Sequence, residues 1–201
     1  MGQWGRGARI LSSSPRPTRY LCENVSMMAI GYDQLPEQFL RRAHLLHVPV
    51  DLTALTAQLS IRLVSRSDLP PKVGGILYRG PLWDVIVVNA HHPAVRRRFT
   101  IAHEIGHWAL DKRGLFFNGM HADDELEIEH AMDAFAATLL MPDDLVKAEV
   151  QRSMRVPVLA KTFQVSPAAM KRRLSDLDLL LPDPDDSCFA SSFDDLPGEY
   201  Y

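Results

Sequence analysis

Residues 98–111 read RFTIAHEIGHWALD, Arg98 to Asp111, and set two histidines and a glutamate into a stretch that is otherwise an apolar helix. Pro93 is a good first helical residue, and Lys112-Arg113-Gly114 is a good stop, with cations on the last turn and then a glycine. In the helix so framed, His103 and His107 stand one above the other, on a stripe with Phe99, Ala102, Gly106 and Leu110. Such a stripe faces the interior. Imidazoles buried there cost desolvation energy unless a partner satisfies them. His103-Glu104-Ile105-Gly106-His107 is an H-E-x-x-H pattern, in which both rings can turn to one metal ion with the glutamate beside them. With 8 histidines in 201 residues, chance supplies roughly 0.01 such patterns in a chain of this composition, so a pair of surface histidines is the weaker reading.

A catalytic zinc takes three protein ligands and keeps a fourth position open. The third ligand is sought on the next helix, E-L-E-I-E-H-A-M-D-A-F-A-A-T-L-L-M-P, running from about Asp124 to Met141 and ended by Pro142. Glu125, Glu127, Glu129, His121 and His130 are all candidates. Glu129 is preferred, because Asp133 lies four residues on over the same face, which Ala136 and Leu140 continue as the packed side. Asp133 can accept the second ring N–H of a ligating histidine and so set its tautomer. Glu125 and Glu127 read as solvated charges near a helix N-terminus, where the macrodipole favours them. Zinc is the default metal for two histidines and a glutamate, although the ligand types also suit manganese or iron.

The rest of the chain supplies the setting. Phe39, Leu40, Ala43 and Leu46 recur at helical spacing between Pro36 and His47, and Asp51 can cap a short helix carrying Leu52, Leu55 and Leu59. SIRLVS alternates as a strand does, with Ile61 and Leu63 on one side. GGILYR and WDVIVVN, parted by Gly80-Pro81, read as a hairpin, and Trp83 to Asn89 is the most strand-like run in the sequence. The fold class expected is α+β, a small antiparallel sheet followed by a mostly helical half. Four divisions are expected: a disordered or artefactual leader over 1–30, a core over 31–145, a C-terminal helical segment over 146–181 and an acidic tail over 182–201. An over-extended start, with Met27 or Met28 opening the real protein, fits the leader better than a transit peptide.

Composition narrows the function classes. A net charge of −3 argues against a general nucleic-acid binder, and no apolar run approaches the ~18 residues needed to cross a bilayer. Cys22 and Cys188 sit near opposite ends, so no disulfide framework is expected and a reducing cytoplasm is the simplest compartment. Charge is unevenly placed. The residues before Glu23 carry only Arg6, Arg9, Arg16 and Arg19, whereas those after Arg173 are acidic without a basic residue. Between them, VPVLAKTFQ, VS and PAAMKRRLSDL have a helix-turn-helix look, with Ser166 as N-cap and Pro167 at the first helical position. Lys147, Arg152, Arg155, Lys161, Lys171, Arg172 and Arg173 against Glu149 give this segment a formal charge of +6, which could meet DNA phosphates. The plainer reading is a helical bundle packed on the core with a solvated basic face.

R-F-T-I-A-H-E-I-G-H followed by E-x-x-x-D-x-F-A-x-x-L-L-M-P resembles the ImmA/IrrE family of zinc metallo-endopeptidases, and the resemblance runs from about Leu35 to Leu181. It takes in the G-G-I-L-Y-R and I-V-V-N strands and the closing V-S-P-A-A-M-K-R-R-L-S-D-L. Met132 departs from it, standing where the family more often has alanine. The resemblance implies a zincin-like core, with His103, His107 and Glu129 on Zn2+, Asp133 behind them and Glu104 as general base. It further implies metal-assisted hydrolysis of a peptide bond in a protein substrate, a helix-turn-helix repressor of phage, mobile-element or stress genes. An oxyanion donor is also needed. Tyr78, His91, His92, His121 and His130 are open candidates, and the peptide is expected to add as a strand beside Trp83–Asn89. The rival function class is a DNA-binding or antitoxin-like regulator that keeps the zinc for structure.

Overall fold

The computed structural model describes residues 34–80, 82–112 and 125–179. The leader, both cysteines, His121 and the acidic tail lie outside the described residues. Helices α1 (Leu35–Arg42) and α2 (Leu52–Gln58) lead into strands β1 (Ile61–Arg66), β2 (Gly75–Arg79) and β3 (Asp84–Asn89). Helices α3 (Ala94–Lys112), α4 (Glu125–Leu140), α5 (Asp143–Val150), α6 (Val156–Phe163) and α7 (Pro167–Asp176) follow. Local chemistry explains several of these limits. Asp51 caps α2 by accepting the Ala54 N–H at 2.9 Å, and Ser166 caps α7 by accepting the Ala169 N–H at 3.1 Å. The first helix stops at Arg42 rather than His47. His44 turns left-handed (φ 55°), the Leu45 N–H reaches back to the Leu40 carbonyl at 2.8 Å, and Leu45 packs on the core.

The sheet is mixed, which corrects the expected antiparallel one. Its order is β1-β3-β2, with β2 antiparallel to β3 as the hairpin predicts, and β1 parallel to β3. The reason lies in the side chains. Asp84–Asn89 is the most apolar strand, and Ile86, Val88 and Asn89 on it are buried, so it takes the centre. Ile61–Arg66, with one buried residue, and Gly75–Arg79, with none, are left as edges. One face of the sheet packs on α2 and α3.

A single apolar cluster gathers Phe39 and Leu40 of α1, Leu55 of α2, Ile86 and Val88 of β3, Ile105 and Trp108 of α3, and Leu139 and Leu140 of α4. Leu159 and Phe163 of α6 and Met170 and Leu174 of α7 join that same cluster. The basic run in this half is weaker than its count suggests. Arg173 is buried, donates from Nε to the Met141 carbonyl at 3.0 Å and pairs with Asp143. Arg152 pairs with Glu149 at 2.6 Å, and Lys147 lies 3.9 Å from Asp143. Among the described residues, no helix is long and apolar enough to cross a membrane.

Candidate metal centre

Two neighbours wall the helix that carries the H-E-x-x-H pattern. On one side β2 runs alongside α3, because two residues of strand (about 6.8 Å) nearly match four residues of helix (about 6 Å). Gly75 therefore meets Thr100, Leu77 meets Glu104, and Arg79 meets His107 and Trp108. Gly75 is needed for this approach, since a Cβ there would lie 2.4 Å from Thr100 Cγ2 and 2.8 Å from the Val87 carbonyl oxygen. On the other side α4 lies against Gly106, where an added Cβ would meet Met132 Sδ at 3.0 Å and Phe135 Cδ1 at 3.1 Å. Met132 thus fills the space over the motif's glycine, fully buried beside Leu110 and Ile128.

Between these walls, His103 and His107 of α3 and Glu129 of α4 turn to one point. The two Nε2 atoms are 3.1 Å apart, Glu129 Oε2 is 3.1 Å from that of His103, and Oε1 is 3.2 Å from that of His107. Tetrahedral zinc with ligands at about 2.0–2.1 Å sets them about 3.3 Å apart, so this triangle is close to the size the ion requires. The donor chemistry agrees. Asp133 Oδ1 lies 2.9 Å from His103 Nδ1 and accepts its proton, which leaves the Nε2 lone pair directed at the other two acceptors. Three lone-pair donors converging in this way form a set that a cation satisfies. The histidine side chains are 16% and 26% exposed and the Glu129 side chain 47%, so solvent can reach the centre.

Burial shapes the protonation of the group. It raises Glu104 above the ordinary carboxylate range, reinforced by the charge of Glu129, while His103 and the Leu77 N–H, which donates to the carboxylate, pull the other way. Burial works against the His103 cation, yet the bond and charge of Asp133, with Glu129 and Glu104, raise its pKa on balance. His107 is lowered by burial and then by the charge of its neighbour His103.

The remaining candidates fall elsewhere. Glu127 and His130 are exposed on α4, away from the converging atoms. Tyr78 projects from the other face of β2, since Gly75, Leu77 and Arg79 are the residues turned to α3. His91 and His92 hold the loop before β2, with Nε2 atoms 2.9 Å from the Ser67 and Pro71 carbonyls respectively. Sequence reasoning missed the partners supplied by the hairpin, the Leu77 N–H and Arg79. An arginine and an aspartate flanking the Gly80-Pro81 turn were the one visible signal.

The family model of the M78 peptidase domain, described as the IrrE N-terminal-like domain, matches residues 57–175. The chain belongs to this family. The matched span contains both walls of the M78 site and all three residues of the triangle. The family is one of metallopeptidases, which are typically zinc-dependent. Among solved structures, a Mycobacterium tuberculosis transcriptional regulator resembles the chain with a TM-score of 0.56 at 18% identity, over 80% of this chain and 52% of that one. That likeness is one of fold, and the chain spans about half the regulator's length. No curated protein matches.

Proposed function

We propose that this M78 domain is a zinc endopeptidase that cuts one specific protein, a helix-turn-helix transcriptional repressor, and so releases the genes that protein silences. The observation that carries the peptidase reading is the triangle of His103, His107 and Glu129 with a raised-pKa Glu104 beside it. His103 and His107 would hold the ion through Nε2 and Glu129 through a carboxylate oxygen, with Asp133 behind His103. The chemistry a bound zinc contributes is Lewis acidity, which brings the pKa of water to about 7. Glu104 would receive the proton at its carboxylate and return it to the leaving amine.

The sheet edge that receives the peptide must be reassigned. Within Trp83–Asn89, the strand Asp84–Asn89 is paired on both sides, so a substrate strand cannot add to it. In the β2–β3 pair, Gly80 and Trp83 at one end and Gly74 and Asn89 at the other exchange ladder bonds, so Gly75, Leu77 and Arg79 turn their N–H and C=O groups to the free edge. That edge lies beside Glu104, and an extended peptide laid along it passes the centre. The description of the fold neighbour as a transcriptional regulator supports a regulatory substrate. A repressor on cytoplasmic DNA would place the enzyme in the cytoplasm.

The test incubates the purified protein with the product of a neighbouring repressor gene, with and without a chelator, beside Glu104→Gln. Cleavage that needs both the metal and Glu104 is expected. Full biological activity in the Glu104→Gln strain would remove proteolysis as the function.

A further inference from the structure

The two histidines are held by different means. His103 is oriented through its ring, by Asp133 on α4. His107 is approached from the opposite wall and through its main chain: Arg79 Nη2 donates to the His107 carbonyl at 3.3 Å and to the Trp108 carbonyl at 3.2 Å. Arg79 is itself set by Asp84, its register partner across the hairpin, with Nη1 3.8 Å from Oδ2. That pair falls at a position of the ladder without exchanged backbone bonds, where facing side chains come closest. Asp84 accepts the Trp108 Nε1–H at 2.9 Å on the same Oδ2. Trp108 is fully buried, against Phe39, and the Asp84 side chain is only 11% exposed. Residues 107 and 108 are therefore gripped at two carbonyls and one indole, all from the end of one hairpin.

From this we infer that Arg79, oriented by Asp84, is a positioning residue for the metal ligand His107, coupling the hairpin of the peptide-binding edge to the metal triangle. The inference rests on the metal-centre reading above. The planar guanidinium reaches two successive carbonyls through Nη2 while Nη1 faces Asp84, and this spread of contacts resists rotation and sliding of that turn in a way that a single ammonium would not. A ligand ring moves with its main chain, so loosening the grip widens a triangle whose edges are 3.1–3.2 Å.

The test uses the full chain and metal alone. Zn2+ affinity is measured by competition with a chromophoric chelator, the Co2+ absorption spectrum reports ligand geometry, and unfolding of the metal-free protein reports stability separately. Arg79→Ala is expected to weaken Zn2+ binding about 10- to 100-fold, as loss of an outer partner of a ligand does, and to shift the Co2+ bands. Arg79→Lys keeps the charge but not the fork and restores only part of the loss. Asp84→Asn keeps the acceptor for Trp108, preserves folding if Arg79→Ala does not, and gives a smaller loss in the same direction. Lower metal-free stability with unchanged Zn2+ affinity and Co2+ spectrum would make Arg79 a fold staple and overturn the inference, leaving the peptidase reading intact. A wild-type chain that binds no Zn2+ would bring down both.

Discussion

The two walls of the site helix do different kinds of work. The α4 wall contributes charged side chains: Glu129 closes the triangle with His103 and His107, and Asp133 accepts from His103 Nδ1. The β2 wall contributes backbone and edge: the Leu77 N–H to Glu104, outward-facing peptide groups, and Arg79 on the main chain of His107. Each wall reaches the helix over a glycine, Gly106 for α4 and Gly75 for β2. The contacts differ, however. An added Cβ at Gly106 meets the side chains of Met132 and Phe135, whereas at Gly75 it meets the Val87 carbonyl as well as Thr100. The ligand wall is thus adjustable, and the strand wall is rigid. A metal site tolerates small repacking behind its ligands, but a peptide-binding edge must keep its height over the helix.

The sharpest way to separate the two walls is Glu104→Gln, which removes the proposed base between them. Turnover should fall about 10²- to 10⁴-fold with Zn2+ affinity kept, read by peptide cleavage and metal titration on one preparation. On the ligand wall, Glu129→Gln should cost more in Zn2+ affinity than the 10- to 100-fold or so that outer partners cost. If Glu129→Gln binds zinc as wild type does, α4 is not the ligand wall. Asp133→Asn should fall inside that outer-partner range of about 10- to 100-fold, because it leaves three ligands in place while weakening control of the His103 tautomer. The smallest effects come from the two glycines. Gly75→Ala should destabilise the fold by about 1–3 kcal/mol in urea titrations, the usual cost of overpacking. Gly106→Ala should cost less, because alanine is better in a helix by about 1 kcal/mol and the neighbouring side chains can shift. Equal losses at the two positions would abolish the contrast between a rigid and an adjustable wall.

Much of the α4 wall was readable beforehand, and little of the β2 wall was. His103, Glu104 and His107 announce themselves by spacing on a helix, and Glu129 with Asp133 by repeating that spacing on the next one. A side chain that carries charge is visible as a letter. The Leu77 N–H belongs to every residue but proline, so no letter marks it as the partner of Glu104. The same holds for the edge. Trp83–Asn89 reads as the most strand-like run, but that apolar character is what sends Asp84–Asn89 to the centre of the sheet and away from the edge proposed for the substrate. Likewise the basic run of the last helices counted seven cations, of which Arg173, Arg152 and Lys147 turn to Asp143, Glu149 and a carbonyl once the chain folds.

The order of residues alone therefore determined the chemistry: which side chains can bind a metal, which helices carry them, and that a hairpin precedes them. Tertiary structure decided the geometry, namely that β3 enters between β1 and β2, that β2 is the edge beside the site helix, and that Arg79 reaches the turn of His107. The division follows from range. Helical and strand periodicity is a property of neighbours within a few residues, whereas strand order and the destinations of backbone groups depend on which distant surfaces bury the most apolar area together.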